Sequence, residues 1–317
     1  MHQFLFDTNF YRNSVFRKET SEINTELEKQ KEIELKKGFK VVFPIVAAIE
    51  LINHLNDNNS TSNECFKALK YLVKHCDNGD SRYCIAPTFY DLLTIYFYNT
   101  TSKSFIFNNN VLTLSREISS LENVNSLNEY REEINQIITI KEEERTEIIK
   151  SIENFYLTSL DNEGKVNWNI FEENPELKTE FNELVSNRDI NKLTGLSLVK
   201  LAMNQTNSTH LNLSKDDFEK KFLNRDFKVA IDFFVKKIVE KIVSVEKKQY
   251  FYNPSTDPKK RWNSFYDMQF IFAVEFENLK GRNTTFVTKE NKIRESFKNN
   301  GKDKLSICPN SYHNLLI

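Results

Sequence analysis

Gln3-Phe4-Leu5-Phe6-Asp7-Thr8-Asn9 is the stretch on which the fold turns. An apolar run that stops abruptly at three polar residues reads as a buried first strand, 3–6, with Asp7 at its C-terminal tip. Working outward, residues 21–37 are densely charged and close at Gly38, which predicts a helix ended by a glycine cap. Residues 40–43 form a second β-branched run. Pro44 then opens a helix in which Ile45, Ile49, Ile52 and Leu55 keep helical spacing, so Glu50 falls about one turn beyond the strand end. Further helices are predicted at 64–74 and 89–97, with a short strand at 83–86 between them.

The far end of the chain repeats this alternation. A helix at 262–279, a strand at 285–288, a helix at 290–298, a strand at 305–308 and a last helix from Asn310 demand a mainly parallel sheet. Between the two ends, 109–250 reads as almost all helix, with Ile134, Ile137, Ile138 and then Phe233, Phe234, Ile238, Ile242 at spacings of three and four. Asn253-Pro254 and Asp257-Pro258 give 251–261 the composition of a loop. The expected organisation is one α/β domain made of 1–100 and 251–317, split by a helical insertion, 101–250.

Composition agrees with a packed fold. With 39% hydrophobic residues, 26 Phe and 12 Tyr in 317 residues, the chain has the apolar material that disordered chains lack. Only 6 Gly and 6 Pro are too few for the tight turns of a β-sandwich. No apolar stretch of about 18 residues and no leader-like N-terminus are found, so a soluble, cytoplasmic protein is expected. Cys65, Cys76, Cys84 and Cys308 form no CxxC pair and the histidines form no HExxH, which removes zinc spacing and leaves reduced, partly buried thiols.

In an open parallel sheet, ligand sites form beyond the C-terminal ends of strands. Asp7 follows the first strand, Glu50 sits on the helix after the second, and Glu290 lies two residues past Thr288 at the end of the 285–288 strand. Asp267 is on the preceding helix, where Phe265, Ile271 and Val274 mark an apolar side that an acid should not interrupt without a partner. Carboxylates gathered together repel unless a cation neutralises them. An all-oxygen set suits Mg²⁺ or Mn²⁺, ions that commonly join protein carboxylates to substrate phosphates.

Phe4-Leu5-Phe6-Asp7-Thr8-Asn9, Glu50 in Pro44-Ile45-Val46-Ala47-Ala48-Ile49-Glu50-Leu51, Asp267 in Asn263-Ser264-Phe265-Tyr266-Asp267, and Phe286-Val287-Thr288-Lys289-Glu290-Asn291 resemble, in order, the four acidic motifs of PIN domains. Leu305-Ser306-Ile307-Cys308-Pro309-Asn310 is similar to that family's last strand and its Pro-led terminal helix. The resemblance covers about half the chain and leaves the insertion outside it. It implies a three-layer α/β/α sandwich, one or two Mg²⁺ or Mn²⁺ ions, and hydrolysis of RNA to a 5′-phosphate and a 3′-hydroxyl. It also implies Asp7, Glu50 and Asp267 as metal ligands, Glu290 as a ligand or water orienter, and Asn9 and Thr288 as supports. Toxin or defence-effector roles follow from the same resemblance. One residue departs from the pattern: the family usually has Asp where Glu290 stands.

Charge is partitioned along the chain. Residues 247–304 hold 13 Lys plus Arg against 7 Asp plus Glu, and residues 117–183 hold 6 against 17. The basic strip, with Lys259, Lys260, Arg261, Lys289, Lys292 and Arg294, suits a phosphate backbone of RNA, with DNA as the alternative substrate. The acidic block reads as a solvated face, or as a gate or surface for a protein partner or inhibitor. Two other functions compete: a PIN-like scaffold without catalysis, and a haloacid-dehalogenase-like phosphatase. The phosphatase would need a second Asp where this chain has Asn9. Asp91, His54 and His75 read as surface or packing positions, Phe89, Tyr90, Tyr96, Phe97 and Tyr98 as core, and Phe107-Asn108-Asn109-Asn110 as a loop.

Overall fold

A computed structural model describes residues 2–56, 60–77, 84–100, 104–156, 170–186, 226–243 and 258–317, together with 195, 198 and 199. The chain is mostly helical around a small parallel sheet. Strand β1 (His2–Phe6) leads into α1 (Thr8–Val15), α2 (Thr20–Lys36) and β2 (Phe39–Val41). Strand β3 (Phe43–Pro44), α3 (Ile45–Ile52), α4 (Ser60–Cys76), β4 (Ile85–Ala86) and α5 (Phe89–Tyr98) follow. Then come α6 (Ser104–Ser120), α7 (Arg131–Tyr156), the single turn α8 (Ile170–Glu173), α9 (Pro175–Ser186) and α10 (Lys228–Val243). The chain closes with α11 (Pro258–Leu279), β5 (Asn283–Val287), α12 (Asn291–Asn299), β6 (Ser306–Ile307) and α13 (Pro309–Leu316).

The four-stranded sheet has the order β2-β1-β5-β6, and every pairing is parallel. β1 pairs with β5 over its whole length, His2 with Asn283 through Phe6 with Val287. The two ends of the sequence are therefore neighbours at the centre of the sheet. The connections part between β1 and β5, since the chain leaves β1 for β2 on one side and leaves β5 for β6 on the other. Open α/β sheets form their binding crevice beyond strand ends at such a divide.

Side-chain alternation covers both faces of β1. Phe4 and Phe6 meet Tyr312 of α13, each with ring centroids 4.9 Å apart, and Phe6 also packs on Phe10 of α1 at 4.3 Å. On the opposite face, Phe286, which is in register with Leu5, stacks on Phe270 of α11 at 5.3 Å. Helices thus lie on both faces of the sheet, and all of these rings are buried. Gly38 ends α2 as read: its φ of +67° is the left-handed conformation that lets the helix close with the Gly38 N–H on the Leu35 carbonyl at 3.1 Å.

Several boundaries differ from the sequence reading. The second run is two strands broken at Val42, because β3 leaves the main sheet to pair with β4. Residues 107–110 are not a loop but lie inside α6, where Asn108 is buried and donates to Asp91. Asp91 is itself fully buried, not on the surface, because α6 supplies that partner. Helix α11 begins at Pro258, not 262, while 251–257 lie outside the described residues. From Phe265 to Glu277 it is buried on nearly every side, not amphipathic, because the sheet takes one flank and α10 another. Phe89, Tyr90 and Phe97 are core, and Cys65, Cys76, Cys84 and Cys308 are free thiols, the first two buried. Among the described residues, no helix is long and apolar enough to cross a membrane.

Candidate functional site

Asp7 leaves β1 and starts α1. Its Oδ1 accepts the Phe10 N–H at 2.7 Å, the bond of an N-cap, and its Oδ2 accepts the Thr288 hydroxyl at 2.6 Å. Thr288, just past β5 and fully buried, accepts the Glu290 N–H at 3.0 Å on the same hydroxyl. One chain of hydrogen bonds therefore joins the ends of β1 and β5 to the start of α12, which Glu290 N-caps without a side-chain bond.

Every residue of α3 except Glu50 is buried, and Glu50 is the one that turns toward the crevice. Its Oε2 accepts the Thr8 hydroxyl. Thr8 is thus to Glu50 what Thr288 is to Asp7, a hydroxyl that fixes one carboxylate oxygen. Asp267 stands on α11 beside Tyr266, whose hydroxyl accepts from Asn53 at 3.4 Å.

Electrostatics show that these acids face one another. Burial raises Asp7 to about 6, against the hydrogen bonds from Thr288 and Phe10, and the Glu290 charge adds to the rise. Burial likewise raises Glu50 to about 7, with the Thr8 bond opposing and the Asp7 charge assisting. Asp267 is pushed well above the carboxylate range, first by burial and then by Glu50, Glu290 and Asp7 together. Asp7, Glu50 and Asp267 are each raised in part by a neighbouring carboxylate's charge, as gathered carboxylates are.

The donor set suits a hard divalent ion: oxygen only, with several negative charges in a partly dry crevice. As the side chains stand, no group of three or more His, Cys, Asp or Glu among the described residues is close enough to hold one ion. A cation would have to draw the carboxylates inward.

The supporting residues divide. Thr288 touches Asp7, whereas Asn9 is exposed on the first turn of α1 with its carbonyl accepting from Asn13 at 2.6 Å. Lys289 and Lys292 are exposed beside Glu290, and Arg294 donates to Asn291. Lys259, Lys260 and Arg261 lie on the first turn of α11, and their side chains fall outside the described residues. The sequence reading missed Thr8 and also Arg12, whose charge lowers Glu50. Thr8 stands next to Asp7, at the first position of α1, and that adjacency was the available signal. His75, read as packing, is buried with its Nε2 2.9 Å from Glu34, far from these acids in role. No family model, curated protein or solved structure matches the chain.

Proposed function

We propose that the chain is a PIN-like, metal-dependent nuclease, with RNA as its substrate, acting at Asp7, Glu50, Asp267 and Glu290. The observation that carries this reading is Asp7, buried at the crevice between β1 and β5 and held by Thr288, with Glu50, Asp267 and Glu290 near enough for their charges to bear on the buried acids. A protein gains nothing in stability by burying several carboxylates together; each is costly without a counter-ion. Their placement makes sense as a ligand set for Mg²⁺ or Mn²⁺, with Asp7, Glu50 and Asp267 holding the ion and Glu290 completing the set or orienting water. A bound divalent cation supplies a water of lowered pKa and neutralises charge on phosphoryl oxygens. The chain's own part is positional. The Thr288 hydroxyl and the Phe10 N–H fix the Asp7 carboxylate, the Thr8 hydroxyl fixes one oxygen of Glu50, and such supports keep ligands in place. The exposed Lys289 and Lys292 lie beside Glu290, where a phosphate backbone would run.

Two observations favour a second reading, a PIN-like scaffold without catalysis: Glu290 is exposed, and among the described residues no three acids meet at an ion's distance. Incubating purified protein with total RNA and Mn²⁺, beside Asp7→Asn and Asp267→Asn, separates the two. Cleavage by the wild type alone supports the nuclease. Intact RNA in all three lanes supports the scaffold.

A further inference from the structure

Asparagines gather where the end of α3 meets α4 and α7. The turn after α3 carries Asn56, the first turn of α4 Asn63, the 3₁₀ helix Val124–Tyr130 Asn125 and Asn128, and the start of α7 Arg131 and Asn135. These six exposed side chains line a cavity of about 570 Å³. Asn56 Nδ2 donates to Asn135 Oδ1 at 2.7 Å, which ties the turn to α7. The cavity adjoins a second, of about 170 Å³, since Asn63 and Val124 line both.

The second cavity is cationic. Lys67, Lys70 and Lys74 line it at spacings of three and four on α4, beside the buried rings of Phe66 and Tyr71. Their ammonium groups bond neutral oxygens: Lys67 donates to the Lys18 carbonyl at 3.0 Å, Lys74 to Asn24 Oδ1 at 3.0 Å, and Lys70 to the Leu121 carbonyl. Burial, and then the Lys74 charge, lowers Lys70 against the pull of Glu122. Among the described residues, Glu122 is the one carboxylate lining either cavity, so the acids of 117–183 otherwise stay out of the groove. An anion laid there would relieve the repulsion of the three cations.

Two kinds of group therefore follow one another along one groove. A side-chain amide holds a donor and an acceptor side by side, the pattern that a nucleobase edge matches. Lysines take phosphates as point charges. Base edges are free to be read this way in unstacked single strands rather than in an RNA duplex. An exposed, elongated lining also suits a strand better than a small ligand, which its site buries over most of its surface. The groove begins near the acids. The chain continues past α3 in tight turns, Asn53 N–H on the Ile49 carbonyl at 2.9 Å and Leu55 N–H on the Ile52 carbonyl at 3.0 Å, so Asn56 lies roughly 9 Å along the helix direction from Glu50.

Resting on the nuclease reading for the choice of ligand, we propose that this groove binds single-stranded RNA, with Asn125, Asn128 and Arg131 on base edges and Lys67, Lys70 and Lys74 on phosphates of the same strand.

The test measures fluorescence anisotropy of a labelled single-stranded oligoribonucleotide on the full chain, in EDTA so that no metal-dependent cleavage intervenes, at several salt concentrations. Changing Lys67, Lys70 and Lys74 together to Gln should weaken binding by about tenfold or more and lower the slope of log affinity against log salt by about 2, at roughly 0.7 per phosphate contact. Asn128→Leu removes hydrogen bonds without changing charge, so it should weaken binding about tenfold and leave the slope unchanged. Lys29→Gln, at an exposed position of α2, should match wild type, and each variant should keep the wild-type Mn²⁺ affinity by calorimetry. Should the triple variant unfold, Lys74→Gln at its exposed position carries the expectation of a slope lower by about 0.7. Wild-type RNA binding by a folded lysine variant or by Asn128→Leu overturns the proposal and leaves the nuclease reading standing. So does equal binding of a duplex of the same length, or no RNA binding by the wild type in EDTA. A wild type that binds RNA as expected yet neither binds Mn²⁺ nor cleaves supports the groove and overturns the nuclease reading alone.

Discussion

Asp7 caps α1 and, on the nuclease reading, would hold metal with the same carboxylate, so its variants separate the two. Asparagine keeps an acceptor for the Phe10 amide and remains a good N-cap, whereas alanine removes the cap at about 0.5–2 kcal/mol. Asp7→Asn should therefore melt within a few degrees of wild type and Asp7→Ala distinctly lower, while neither cleaves RNA. Thermal melts and a cleavage assay read this directly, and an active Asp7→Asn would remove Asp7 from the site. Thr8→Val tests the support that the sequence did not reveal. Loss of the hydroxyl that holds Glu50 should weaken Mn²⁺ binding about tenfold, the range for a support behind a ligand, with little change in melting temperature. The four acids were readable because each ends or follows an apolar run. Thr8 and Arg12 were not, since their contacts to Glu50 cross 42 and 38 positions of sequence and exist only once α1 packs on α3.

Away from the crevice, α2, α4 and α13 are joined by a buried polar cluster around Glu34. Gln30 donates to it at 2.7 Å, His75 Nε2 lies 2.9 Å away, and the Tyr312 hydroxyl donates as well. Burial alone would raise Glu34, but His75 and these donors outweigh it and hold the carboxyl below its usual range. A depressed carboxylate contributes stability above its unfolded pKa of about 4.3 and loses it as pH falls through the lower folded value. Wild-type urea midpoints should accordingly drop on acidification below about pH 4.5. Glu34→Gln should be less stable by about 1–3 kcal/mol at neutral pH and show a flatter acid limb. A limb as steep as wild type would show that other carboxylates set it. At this scale the elements at the two chain ends were legible from their apolar runs, as at β1 and α13. Misreadings came where tertiary partners overrode composition: α6 runs through Asn108, Asn109 and Asn110 because Asn108 pairs with buried Asp91, and the second strand splits at Val42 because β4 draws β3 aside.

Across the whole molecule, the β1–β5 pairing makes the fold depend on contacts between residues some 280 apart in sequence. Phe286 carries much of that closure, fully buried between β1 and Phe270. Phe286→Ala should cost about 3–5 kcal/mol and lower metal affinity with stability, since the Thr288 and Glu290 positions hang from the same strand; a urea titration with and without Mn²⁺ measures both. The parallel sheet was legible in the alternation of helices and strands at the two ends. Where α10 of the long middle segment joins the rest of the fold was not, because that depends on Glu275 of α11 accepting the Val229 and Ala230 amides. The account as a whole rests on carboxylates from both ends of the chain sharing one divalent ion. Calorimetric titration of Mn²⁺ into the wild type and into Asp7→Asn at neutral pH tests this most directly. A saturable site in the wild type that Asp7→Asn loses or weakens at least tenfold, at least about 1.4 kcal/mol of binding, is the predicted result. No heat of binding in the wild type, or the same affinity in both proteins, would contradict it.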